Sequence, residues 1–147
     1  MFLTHLAFAL FLSLMIVKNA VLPVNSYVFV AIILLGSLLP DIDSGTSFIG
    51  KRFKLTSLFF KHRGMVHSII FMTGFSIVVF SITKSIYYFL AFAAGYLSHL
   101  LLDSLTPKGV AFFWPNKKRM RGRFRTTGLV DILLLVVFIV LDVLLLK

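Results

Sequence analysis

The chain contains no cysteine and no glutamate among its 147 residues. Without cysteine, disulfides and thiolate metal sites are excluded, and any bound metal must be held by nitrogen and oxygen. Without glutamate, Asp41, Asp43, Asp103, Asp131 and Asp142 are the only side-chain carboxylates. Charge of either sign is scarce: charged residues make up 14% of the chain, against about 25% in an ordinary soluble domain. What fills the chain instead is apolar. Hydrophobic residues account for 59%, and the mean hydropathy is +1.01. A soluble fold of one domain's length cannot hide so much apolar surface, so lipid must cover part of it.

Apolar runs occupy residues 6–17, 27–39, 65–82, 86–105 and 129–146. The last three approach the roughly 20 residues that cross a hydrocarbon core. The first two are shorter and are expected to extend toward Lys18 and Pro23 or to sit partly inside the bundle. The start of the first run lacks a basic n-region, and Lys18-Asn19-Ala20 is a poor cleavage site, so it is expected to stay as a helix. The predicted fold is therefore all-α, a multi-pass membrane bundle of about five short helices forming one domain over 1–147.

The formal net charge is +10, which raises nucleic acid as a partner. The distribution argues against it. Lys51, Arg52, Lys54, Lys61 and Arg63 fall in one interhelical segment; Lys108, Lys117, Lys118, Arg119, Arg121, Arg123 and Arg125 fall in another. Basic loops between apolar runs are the positive-inside pattern, which places both loops and the N-terminus in the cytoplasm of a plasma or inner membrane. Phe48, Ile49, Phe53, Leu55, Leu58, Phe59 and Phe60 are interleaved with the first set, as in a segment lying among headgroups. Phe112, Phe113 and Trp114 precede the second, like an interfacial aromatic belt. The expected partners are membrane lipids, anionic headgroups above all.

Ionisable side chains are costly inside a bilayer and usually mark function there. Here they fall at the ends of the runs. His5 opens the first, and Asp41 and Asp43 close the second after Pro40. His62 and His67 open the third, His99 and Asp103 close the fourth, and Asp131 opens the fifth. Helices of alternating direction bring start, end, start, end and start to one membrane face, and the basic loops make that face cytoplasmic. His99 and Asp103, at i and i+4, share a helix face. His62 is expected in the loop before Gly64 and His67 in the first helical turn. An extended Asp41-Ile42-Asp43 would point both carboxylates the same way.

A lone histidine at an interface is more often structural than a ligand, and Asp131 also suits a helix N-terminus, where the dipole favours an acid. Four histidines and this many carboxylates gathered together are harder to explain without a cation, because like charges would repel. Histidine with carboxylate selects zinc, manganese or iron, and the donors exceed what one tetrahedral zinc uses, so two ions with a bridging aspartate would fit. Such a centre would activate water for phosphoester hydrolysis. Asp41, Asp43 and His67 are read as catalytic as well as ligating, with Lys61 and Arg63 steering an anionic substrate. The competing reading is a non-catalytic metal-binding or metal-transporting membrane protein. Asp142, deep in the last run with no nearby partner in sequence, is assigned to neither.

The segments Leu38–Gly50 (LLPDIDSGTSFIG), His62–Ser68 (HRGMVHS) and Gly95–Pro115 (GYLSHLLLDSLTPKGVAFFWP) resemble the YdjM-like family. These are bacterial and archaeal inner-membrane proteins, some LexA-regulated, described as membrane-bound metal-dependent hydrolases and distantly similar to zinc-dependent phospholipase C. The resemblance implies ligands at His5, Asp41, Asp43, His62, His67, His99 and Asp103. Val66 stands where the family often has threonine, and Asp131 where it commonly has glutamate.

Overall fold

A computed structural model of the chain describes residues 2–43, 65–116, 118–124 and 128–147; of Ile42 and Asp43 it describes the backbone alone. The described residues form five α-helices and no strand: α1 (Phe2–Asn19), α2 (Ser26–Leu38), α3 (Ile69–Thr83), α4 (Ile86–Ser104) and α5 (Leu129–Leu146). The expected all-α class and five helices are what the described residues adopt. Three helices, α1, α4 and α5, are long and apolar enough to cross a membrane.

Helix boundaries follow local chemistry. Asn25 caps α2 by accepting from the amides of Tyr27 and Val28, and Ser68 caps α3 by accepting from Phe71. That second cap corrects one expectation. Residues 65–68 form a turn, so α3 is shorter than the apolar run containing it, and His67 lies just before the helix. Serine next to His67 is the better N-cap, so the helix begins after it. The first helix starts at Phe2, so His5 lies within its first turns rather than opening it.

The segment after α2 is also not extended. Leu39–Asp43 is a 3₁₀ helix continuing from α2. Proline suits the first turn of a helix, where its fixed φ is already helical and its missing N–H is not needed. A 3₁₀ turn rotates about 120° per residue, so the alternation that would have aligned Asp41 with Asp43 does not apply.

The helix pairs with the most extensive contact are α2 with α4 and α1 with α5, followed by α1 with α2 and α3 with α4. Two glycines set the α2–α4 approach. A Cβ on Gly36 would lie 2.5 Å from the Phe92 carbonyl oxygen, and one on Gly95 would overlap the Ile33 carbonyl. Small residues at such crossings let membrane helices meet backbone to backbone. One buried cluster, Ala9, Phe29, Ile33 and Ala91, fills the space beside this crossing. A second, Phe92, Tyr96, Leu100, Val110 and Phe112, joins α4 to the segment that follows it.

That segment folds back on the end of α4. Val110 and Met120 exchange backbone hydrogen bonds, and Gly109 turns the chain at φ 62°. Leu105 and Thr106 accept from Phe124 and Gly122. Phe113 projects outward as an interfacial aromatic would, whereas Phe112 is a core residue rather than part of a belt. On α5, Leu133, Val136, Val140 and Val143 are all about half exposed, the surface of a helix facing lipid. The first basic loop, with its interleaved phenylalanines, lies outside the described residues.

Candidate metal centre

The helix ends bring five donors to one place. His5 comes from the first turns of α1, Asp41 from the 3₁₀ turn after α2, and His67 from the turn before α3. His99 and Asp103 come from the last turns of α4. His5, His67, His99 and Asp103 are buried, while Asp41 is partly exposed. His5, His99 and Asp103 form one group of ligand atoms within 4.8 Å of one another; Asp41, His67 and His99 form another. His99 belongs to both.

Asp103 occupies the middle. Its Oδ1 lies 3.5 Å from His5 Nε2, and its Oδ2 lies 3.5 Å from His67 Nε2 and 3.7 Å from His99 Nε2. The His5 and His99 rings stack with centroids 4.1 Å apart, and His67 meets His99 edge-on at 5.4 Å. These nitrogen–oxygen separations are long for hydrogen bonds, whose usual range is about 2.7–3.2 Å. They suit donors around a common ion, since metal bonds of about 2.0–2.2 Å at tetrahedral angles space donors roughly 3.3–3.6 Å apart.

The tautomer of His99 can be assigned. Its Nδ1 is 2.7 Å from the Ser37 carbonyl oxygen, and a carbonyl only accepts, so Nδ1 carries the proton and donates. The Nε2 lone pair is thereby turned toward Asp103, the orientation that an outer hydrogen bond gives a metal-binding histidine. Ser37 lies in the last turn of α2, where carbonyls lack full intrahelical partners, and Pro40 three residues on brings no N–H. His5 Nδ1 and His99 Nε2 are buried with no hydrogen-bond partner among the described residues. Buried polar atoms are rarely left so, and an ion would satisfy His99 Nε2 directly. The nitrogen and carboxylate donor set fits a divalent transition ion.

Two further polar groups brace the centre. The Tyr96 hydroxyl donates to the Val66 carbonyl and thereby holds the turn that carries His67. Thr106 donates through its hydroxyl (2.8 Å) and its amide (3.1 Å) to the Asp103 carbonyl, closing the end of α4. Neither residue stood out in the sequence. The available signal for Tyr96 was a phenol within a membrane helix, where a buried hydroxyl needs a partner. Tyr96→Phe is expected to keep the core and lower metal affinity about 10- to 100-fold, the usual cost of losing an outer-shell contact. Competition against a chromogenic chelator measures this, and unchanged affinity would remove Tyr96 from the support of His67.

The remaining sequence-predicted residues are placed differently. Asp131 accepts a 2.7 Å hydrogen bond from Thr4, tying the first turn of α5 to α1 beside His5, and lies outside both donor groups. The backbone of Asp43 ends the 3₁₀ turn, but its side chain, with Lys61, His62 and Arg63, lies outside the described residues.

Comparison with known proteins places this architecture. The family described as "YdjM inner membrane protein" matches residues 1–146. The chain is similar to "Inner membrane protein YdjM" of Escherichia coli (strain K12), 38% identical over 104 residues, covering 60% of this chain and 50% of that protein. The same figures hold for the protein of that name in Shigella flexneri. It is also 35% identical over 94 residues to "Uncharacterized protein YvsG" of Bacillus subtilis (strain 168), covering 58% of this chain and 56% of that one. The chain thus spans about half the length of the curated relatives it matches. No solved structure matches it. With a family match along nearly its whole length and helices built to cross a bilayer, the chain belongs to the YdjM inner membrane protein family and is a multi-pass protein of that membrane.

Proposed function

We propose that this centre binds one or two divalent ions, zinc first, with manganese and iron as alternatives. We further propose that it hydrolyses phosphoesters, those of lipid headgroups included, at the cytoplasmic face. The observation that carries this is the Asp103 carboxylate buried among three imidazoles, a set of oxygen and nitrogen donors that a dication would complete. Such an ion, when bound, acidifies water and stabilises charge developing on a phosphoryl oxygen.

The chain's own residues take distinct parts in this scheme. His99 offers a single nitrogen, because Nδ1 is committed to Ser37, so it serves one ion only. Asp103 presents one oxygen to His5 and the other to His67 and His99, which makes it the member able to serve two. Asp41 is the partly exposed donor of the described set and holds or accepts a proton where substrate enters. Asp43, His62 and Asp131 are the further proposed donors, Asp131 through the carboxylate that also takes the Thr4 bond. Lys61 and Arg63 hold an anionic headgroup.

Detergent-solubilised protein supplied with zinc or manganese is expected to turn over anionic phospholipids or soluble phosphoesters. Arg63→Ala should leave metal content unchanged and raise KM for anionic substrates about tenfold, one charge-assisted contact's worth. Stoichiometric metal with no turnover on either substrate class would instead favour metal binding without catalysis.

A further inference from the structure

Asp142 stands apart from the metal centre, about 16 Å along α5 from Asp131 at 1.5 Å per residue. Its side chain is 5% exposed, and Oδ1 is buried without a hydrogen-bond partner among the described residues. An ionisable group left in that condition inside a membrane helix is ordinarily functional. It lines a cavity of about 240 Å³ along the α1–α5 seam whose other walls are Leu3, Leu6, Ala7, Leu10, Leu135 and Ile139. The two helices run parallel, since Thr4 meets Asp131 at one end of the seam and Lys18 meets Leu145 at the other. The Lys18 ammonium donates to the Leu145 carbonyl at 3.0 Å, one turn beyond Asp142 on the same face of α5.

We propose that this seam is a second binding site, for a membrane lipid whose headgroup combines a phosphate with a free hydroxyl. The acyl chain lies against the leucine and isoleucine walls. The hydroxyl donates to Asp142 Oδ1, and the phosphate meets the Lys18 ammonium. Each alternative headgroup leaves something unsatisfied. A hydrocarbon chain alone leaves Oδ1 orphaned, and the ammonium of a cationic or zwitterionic headgroup, though able to donate to Asp142, is brought beside the Lys18 ammonium and repelled by it. An anionic lipid without a hydroxyl reaches Lys18 but not Asp142. Because the exposed flank of α5 is apolar, the seam opens on lipid rather than on water. The polar end of the site, Asp142 and Lys18, lies at the opposite end of the helices from the metal centre.

The test is native mass spectrometry of the full chain in detergent, titrated with phosphatidylglycerol and with phosphatidylethanol. These two lipids carry the same charge and differ in the headgroup hydroxyls. Wild-type protein is expected to bind phosphatidylglycerol about three- to tenfold more tightly, the worth of one net hydrogen bond. Asp142→Leu should abolish that preference, whereas Asp142→Asn, which keeps a carbonyl oxygen, should retain it. Lys18→Gln should weaken both lipids together. Metal content is expected to be unchanged in all three variants, which separates this site from the centre. Equal binding of the two lipids by the wild type, or a preference that survives Asp142→Leu, overturns the proposal. If Asp142→Leu also loses metal, its fold is disturbed, and the wild-type comparison decides alone.

Discussion

Asp103→Ala is expected to leave the protein folded but unable to retain a divalent ion, with affinity reduced by well over about 100-fold. Outer-shell contacts alone are commonly worth 10- to 100-fold, and among the described residues Asp103 is the carboxylate that faces His5, His67 and His99 together. Removing it takes the carboxylate away from His5 and leaves Asp41, beside His67 and His99, as the remaining anionic donor of the described set. His99→Ala should behave similarly, because His99 belongs to both donor groups and its only available nitrogen faces Asp103. Asp103→Asn separates charge from shape: it preserves volume and one oxygen, so a metal loss as severe as that of alanine assigns the effect to the carboxylate. Inductively coupled plasma mass spectrometry of the washed variants reads the outcome. Wild-type metal content in Asp103→Ala would mean that the ion sits elsewhere.

The second large effect is expected far from any ligand. Gly95→Leu should break the α2–α4 crossing, because even its first side-chain atom would overlap the Ile33 backbone, which cannot move aside as a flexible side chain can. Overpacking of this kind typically costs about 1–3 kcal/mol or more. The damage should spread to the centre. The helix on one side of the crossing leads to Ser37 and Asp41, and the one on the other carries His99 and Asp103. Pushing them apart lengthens the His99–Ser37 hydrogen bond and separates Asp41 from its group. Gly74→Leu on α3 is the matched control, since a Cβ there meets nothing within 4 Å. Thermal unfolding in detergent should show a marked drop for Gly95→Leu and little change for Gly74→Leu, with metal lost only from the former. Equal melting temperatures would show that the crossing tolerates a wider spacing.

Much of the centre was legible because membrane topology is a strong constraint. Once the apolar runs are read as alternating helices, the positions of His5, Asp41, His67, His99 and Asp103 at their ends force these residues toward one face. The i, i+4 spacing of His99 and Asp103 adds a shared helix surface. What could not be read depends on backbone detail. The 3₁₀ turn at Leu39–Asp43 and the placement of His67 ahead of α3 are each decided by one residue, Pro40 and Ser68, acting on a helix boundary. Boundaries are the least determined part of a pattern of apolar runs. The Ser37 carbonyl that fixes His99 carries no side-chain signature at all. Gly36 and Gly95 lie on different helices, so only the packed pair explains why both are glycine.

The centre's capacity for metal is tested most directly by elemental analysis of purified wild-type protein, supplied with zinc and manganese, washed free of excess ions, and measured again after chelation. One to two divalent ions per chain should survive the wash and disappear with chelator. Wild-type protein holding no more metal than His99→Ala under the same treatment would contradict the account.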